Sequence, residues 1–123
     1  MRINRSYITN FDQILDASNL AFSYNTNSAS ASLTAVDGIN VQLVNATSGA
    51  ITITLPTAVG NGACFIIKKT DSSANVVTID GASSETIDGD LTYKLYDQYN
   101  YVEIVSNGTN WVVVNEFHNE VWT

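Results

Sequence analysis

Few residues in this 123-residue chain carry reactive groups, and their spacing argues against catalysis. His118 is the single histidine, in a polar stretch near the C-terminus. Cys64 is the single cysteine, inside the apolar run Ala63-Cys64-Phe65-Ile66-Ile67. A thiol in such a run is expected to be buried and inert, which disfavours a Cys–His catalytic pair. No Gly-x-Ser-x-Gly elbow occurs, and no glycine-rich loop follows a strand and opens a helix. The densest set of hard-cation ligands is Asp80, Glu85, Asp88 and Asp90, where Ile79-Asp80-Gly81 is echoed by Ile87-Asp88-Gly89. Calcium needs about six to eight oxygens, and closely spaced carboxylates can supply them. This spacing, however, matches neither the EF-hand loop nor the glycine-rich nonapeptide repeat. An Asp-Gly pair after an apolar residue has a plainer use in a tight hairpin turn. Two acids in adjacent hairpins do not make the cleft that glycoside cleavage requires. The expectation is no enzyme: no catalytic residue, no metal and no cofactor.

Aromatic chemistry is the stronger signal. Tyr93, Tyr96, Tyr99 and Tyr101 fall within nine residues, and Trp111 follows. Period-two alternation puts Tyr93 on a buried face with Leu91 and Leu95, and turns Tyr96 outward. Tyr99 is expected in a turn, and Tyr101 opposite in face to Val102 and Ile104. Exposed tyrosines such as Tyr96 and Tyr99, with Trp111, can stack on a sugar ring or anchor a protein interface. Cross-strand packing is the plainer role. Lys68-Lys69 is expected at an edge or in solvent, because an inward charge is costly without a partner.

The elements that must position these groups are short strands. Ile51-Thr52-Ile53-Thr54-Leu55 alternates apolar and polar without a break, and Leu91–Leu95 repeats the pattern. Ile39–Asn45, Cys64–Thr70, Val76–Asp80, Tyr101–Ser106 and Trp111–Phe117 are similarly rich in Val, Ile, Thr and aromatics. Glycine, asparagine, aspartate and serine fill the breaks between them. Pro56 ends the strand before it, having no N–H for a ladder. Such spacing predicts an all-β domain, a small antiparallel β-sandwich or barrel of jelly-roll type, since no segment is long and periodic enough for a crossover helix.

Residues 1–34 read differently from residues 35–123. Asn10 could cap a short helical turn over Phe11–Leu15. The stretch 25–32 reads as a polar linker. Yet the segment carries Ile3, Tyr7, Ile8, Phe11, Ile14, Leu15, Leu20 and Phe22. It is read as an extended arm laying these side chains onto a neighbouring copy or another protein, or else supplying an edge strand or cap to its own domain. The arm is neutral, with Arg2 and Arg5 against Asp12 and Asp16; the net charge of −7 lies wholly in residues 35–123. An acidic body repels phosphate backbones and anionic membrane surfaces, which excludes nucleic acid and membrane as expected partners. No apolar run approaches the roughly 18 residues of a membrane span, and a lone cysteine suits a reducing compartment.

The run Ile51–Ala58, continued through Phe65–Asp80, Glu85–Gly89 and Val105–Trp111, resembles the small β-module of virion accessory proteins of tailed bacteriophages, which include tail fibres, head fibres and capsid-bound proteins. The resemblance covers roughly residues 36–114 and carries no catalytic residues. It implies a homotrimer at the virion surface, made in the host bacterial cytoplasm. Without a shaft or a second module, the chain is expected to be a capsid decoration (cement) protein. Its partners would be itself and the major capsid protein or another virion protein. The alternative is a tail-fibre module that reads host glycans.

Overall fold

The computed structural model describes residues 22–118. The expected helical turn over Phe11–Leu15 lies outside them. Nine strands follow one another: β1 (Phe22–Asn27), β2 (Ala31–Ser32), β3 (Gly38–Val44), β4 (Ile51–Thr54), β5 (Ala63–Lys69), β6 (Val77–Asp80), β7 (Thr92–Leu95), β8 (Tyr101–Ser106) and β9 (Trp111–Phe117). No helix occurs among the described residues. Strands β3 to β9 coincide with the β-branched and aromatic runs to within a residue or two, and the Gly/Asn/Asp/Ser breaks between them are turns.

They form a five-stranded sheet ordered β1-β3-β5-β8-β9 and a four-stranded sheet ordered β2-β4-β6-β7. The sheets share one core, as in a small β-sandwich. Val44, Phe65, Ile67, Val102, Ile104 and Trp111 come from one side, and Ile51, Ile53, Val77, Ile79 and Leu95 from the other. Both sheets are open and end in different strands, so the barrel expectation is corrected.

The antiparallel, jelly-roll expectation is corrected too. From β1 to β6 the chain alternates between the sheets, so β1, β3 and β5 run parallel in one while β2, β4 and β6 run parallel in the other. A parallel pair needs a crossover of a dozen or more residues, usually a helix. Here the crossover is a strand of the opposite sheet. Antiparallel pairing enters only with β5–β8, β6–β7 and β8–β9. The stretch expected to be a linker is partly strand: β1 extends to Asn27, and Ala31–Ser32 pairs with β4. Residues 22–32 thus supply an end strand to each sheet of their own domain, the second of the two roles weighed for the arm.

Because β1, β3 and β5 are parallel, their C-terminal ends stack at one end of the sandwich. Asn27, Val44 and Lys69 stand in register there. Lys69 is not in solvent, as expected, but wholly buried; its Nζ lies 2.7 Å from Asp71 Oδ2. The partner that makes an inward charge tolerable is two residues along the chain, beyond the end of β5. Asp71 also accepts hydrogen bonds from Ala46 N (2.7 Å), Ser73 N (3.1 Å) and the Ser73 hydroxyl. Burial opposes the charged form of Asp71. The bonds from Lys69, Ser73 and the Ala46 and Ser73 backbone outweigh it and hold the carboxyl well below the usual carboxylate range.

The two Asp-Gly echoes have different jobs. Asp88 and Gly89 both have positive φ, 49° and 90°, between the bridged residues Ile87 and Asp90, so this pair is a tight turn. Gly81 is buried, and a Cβ there would stand 2.3 Å from the backbone oxygen of Glu85. Close packing demands that glycine, and Gly81→Ala is expected to lower the unfolding midpoint far more than a surface Ala substitution does.

Asp71→Asn leaves the Lys69 ammonium buried without its counter-charge and is expected to cost about 3–5 kcal/mol in urea unfolding. Lys69→Met is expected to cost less, because Asp71 keeps its backbone and serine donors. The native carboxyl titrates below the unfolded one, so its contribution is full at neutral pH and lost as acid protonates the unfolded chain, from about pH 5 downwards. Asp71→Asn should therefore flatten the decline in stability between pH 5 and pH 2. An unchanged decline would contradict the assignment.

Candidate functional site

Of the expected contact residues, Ile3, Tyr7, Ile8, Phe11, Ile14, Leu15 and Leu20 lie outside the described residues. Phe22 lies in β1, the end strand of its sheet, where it is 66% exposed; Tyr24, two residues on, is 65% exposed. The inner face of β1 is polar. Asn40 Nδ2 donates to Ser23 Oγ (2.8 Å), Gln42 Nε2 to Asn40 Oδ1, and Asn27 Nδ2 to Gln42 Oε1 (2.6 Å). An amide ladder, not apolar packing, fastens β1 to β3. The large side chains of β1 are left facing out.

Tyr96 and Tyr99 are exposed, as expected. Tyr99 sits in the turn after β7 with φ of 71°, and the Lys68 ammonium lies 5.4 Å from its ring centre and 5.8 Å from that of Tyr101. Trp111 is corrected. It is 1% exposed, packs its ring 5.5 Å from Phe65 and donates from Nε1 to the Pro56 carbonyl at 3.3 Å. It can hold no sugar. Leu91, expected inside with Tyr93, is exposed just before β7.

Two of the four singled-out carboxylates hold backbone or loops in place. Glu85 accepts from Ala58 N (2.7 Å) and Thr57 Oγ1 (2.6 Å), and Asp88 Oδ1 accepts from Val113 N (2.9 Å). Cys64 is half-buried beside Glu103, 3.5 Å from Oε1. Burial, the Glu103 charge and that hydrogen bond push its thiol up to about 11. A cluster that the sequence reading missed joins the two sheets: the Tyr93 hydroxyl bonds Glu116 Oε2 and lies 2.6 Å from His118 Nε2. Burial, aided by the Glu116 hydrogen bond and charge, pushes the Tyr93 phenol upward. A proton on that oxygen suits a clasp between strands better than a base. The cluster lies at the surface. A surface cleft of about 350 Å³ lies elsewhere, lined by Thr26, Asn27, Ser28, Leu43, Asn45 and Thr70, none of them ionisable.

The surfaces are more informative than the clefts. Strand register sorts the outer face of the five-stranded sheet into cross-strand rows. One reads Phe22, Ile39, Cys64, Val105, Val112. The next reads Tyr24, Val41, Ile66, Glu103, Asn115. The third reads Thr26, Leu43, Lys68, Tyr101, Phe117. The outer face of the four-stranded sheet reads Ser32, Thr54, Asp80, Thr92 and then Thr52, Thr78, Lys94. One sheet thus shows solvent a threonine-rich polar face. The other shows it a largely apolar one.

The chain matches no protein family and no curated protein sequence.

The rate of Cys64 alkylation is expected to keep rising to about pH 11, whereas an ordinary thiol levels off near pH 9. Glu103→Gln should move the inflection down. A plateau near pH 8–9 in the unaltered protein would refute the buried-thiol geometry.

Proposed function

We propose that this chain is a non-enzymatic adhesive module of a tailed-bacteriophage particle, a capsid decoration protein that clips onto the outer shell and bridges its subunits. One observation carries the adhesive reading. The strand that follows the apolar arm is an end strand fixed inward by amides, and it presents Phe22 and Tyr24 outward. Among the described residues no strand pairs with the outer edge of β1, and a free edge with large apolar side chains supplies the two ingredients of edge-strand docking. Burying Ile8, Phe11, Ile14, Leu15, Leu20 and Phe22 against a partner is worth roughly 1.5–3 kcal/mol each when complete. Ordering the arm offsets part of that, at roughly 1–2 kcal/mol per residue. Several copies acting together on one lattice turn weak single contacts into lasting attachment. The phage setting is supported by the resemblance of residues 36–114 to virion accessory modules. In that setting the protein is a homotrimer at the virion surface, made in the bacterial cytoplasm and partnered by the major capsid protein.

The adhesive reading is tested by replacing Ile8, Phe11 and Leu15 together with serine in the full chain. Co-sedimentation with tailed-phage shells that lack the protein is expected to fall at least tenfold, with the far-ultraviolet circular dichroism of the sandwich unchanged. Undiminished binding would overturn it. Glycan binding that disappears with Tyr99→Ala would instead favour a receptor-reading tail module.

A further inference from the structure

The arm and the β1 edge leave the broad face of the five-stranded sheet without a role. We propose that this face is where copies of the chain meet: a second copy covers Ile39, Val41, Ile66, Val105 and Val112. The inference is independent of the phage assignment, since it rests on the sheet alone.

Three observations select a copy of the chain as the occupant. Size comes first. Strands about 4.8 Å apart and six residues long give a five-stranded face a flat footprint of about 500 Å². Two such faces bury about 1,000 Å² or more once side-chain relief is added, the area at which a specific interface begins. Charge is the second. The chain carries a net −7, so most of its surface repels another copy. This face carries one positive and one negative side chain in its rows, Lys68 and Glu103, and is neutral.

The third observation is the placing of those two charges. They lie on neighbouring strands one row apart, since Lys68 pairs with Tyr101 and Ile66 with Glu103. A two-fold axis lying in the interface between them exchanges the two positions, so each Lys68 meets the other copy's Glu103. A head-to-tail contact around a ring satisfies the same pair once per junction. A foreign partner would need its own matching charges, whereas a second copy brings them by construction. The polar outer face of the four-stranded sheet shows that an apolar outer face is no requirement of this fold.

Sedimentation equilibrium of the full chain, in reducing buffer from about 1 to 200 µM, tests the proposal. Assemblies of two or three 13.3 kDa chains are expected. Ile66→Asp points a carboxylate outward from the middle row and is expected to give a monomer with unchanged circular dichroism. Charge reversal tests the register without touching the apolar residues. Lys68→Glu and Glu103→Lys should each weaken assembly by about tenfold, and the double reversal should restore most of it. A monomer at every concentration would overturn the proposal. So would assembly that survives Ile66→Asp in a folded protein, or a double reversal weaker than both single ones.

Discussion

The rest of the structure depends on the Lys69–Asp71 pair, because it sits where successive crossings of the chain between the two sheets stack. The backbone N–H of Asn45 donates to the Asn27 carbonyl, and that of Thr70 to the Val44 carbonyl, so the exits of β1, β3 and β5 are already stitched together. Asp71 draws Ala46 N into the same knot, and Asn75 Nδ2 donates to the Ala46 carbonyl at 2.8 Å. Tyr99 N and the Lys69 carbonyl, 2.7 Å apart, tie in the antiparallel half of the fold. Taking two charges out of water costs several kcal/mol each, and only dense hydrogen bonding of this kind offsets it. An apolar pair of similar volume could fill the space, but it could not bind Ala46 N and so fix where the chain turns towards β4.

That knot explains how a chain this short makes parallel strands without helices. Each circuit of backbone crosses the core, adds a strand to the facing sheet and returns beside its predecessor. The crossings must then be held at constant height, or the register of both sheets slips together and every inward side chain turns outward. Along the polar start of β3 the same office falls to Ser23, Asn27, Asn40 and Gln42. Amides in a ladder specify register more sharply than interchangeable aliphatic side chains would, provided each finds a partner, as these do.

Individual strands were legible in the residues because alternation and turn chemistry are local. Ile51–Thr54, Tyr101–Ser106 and Trp111–Phe117 follow directly from periodicity. Their pairing was not, since the order of strands and their direction depend on which sheet each crossing enters, and alternation looks the same in either sheet. The fate of Lys69 was hidden for a related reason. Its charge is neutralised by a residue beyond the end of its own strand, where strand alternation no longer says which way a side chain points. The Asn25–Ser32 stretch misled through composition. Polar residues usually mark a linker, but here Asn27 faces an amide ladder and Ala31–Ser32 lie in an end strand. Tyr93, Glu116 and His118 lie more than twenty residues apart in part, and only the alignment of β7 with β9 brings them together. Tyr96 and Tyr99, by contrast, were readable as exposed from strand phase and turn position alone.

The two outer faces of the sandwich differ in chemistry. A β-sandwich needs apolar residues on only one face of each sheet, and the four-stranded sheet follows that economy with Thr52, Thr54, Thr78 and Thr92 in solvent. The five-stranded sheet does not. Its central strand β5 is apolar on both faces over most of its length, the pattern of a strand covered on both sides, and β3 adds Ile39, Val41 and Leu43 to the outer face. Threonine would serve β-propensity at Val41 or Ile66 as well as valine or isoleucine does, so propensity does not account for the difference. On the proposed self-association, a second copy covering this face accounts for it. An acidic chain that keeps one broad face neutral and largely apolar, with Phe22, Tyr24 and Phe117 in the end strands of that sheet, has the surface that the proposed self-association requires.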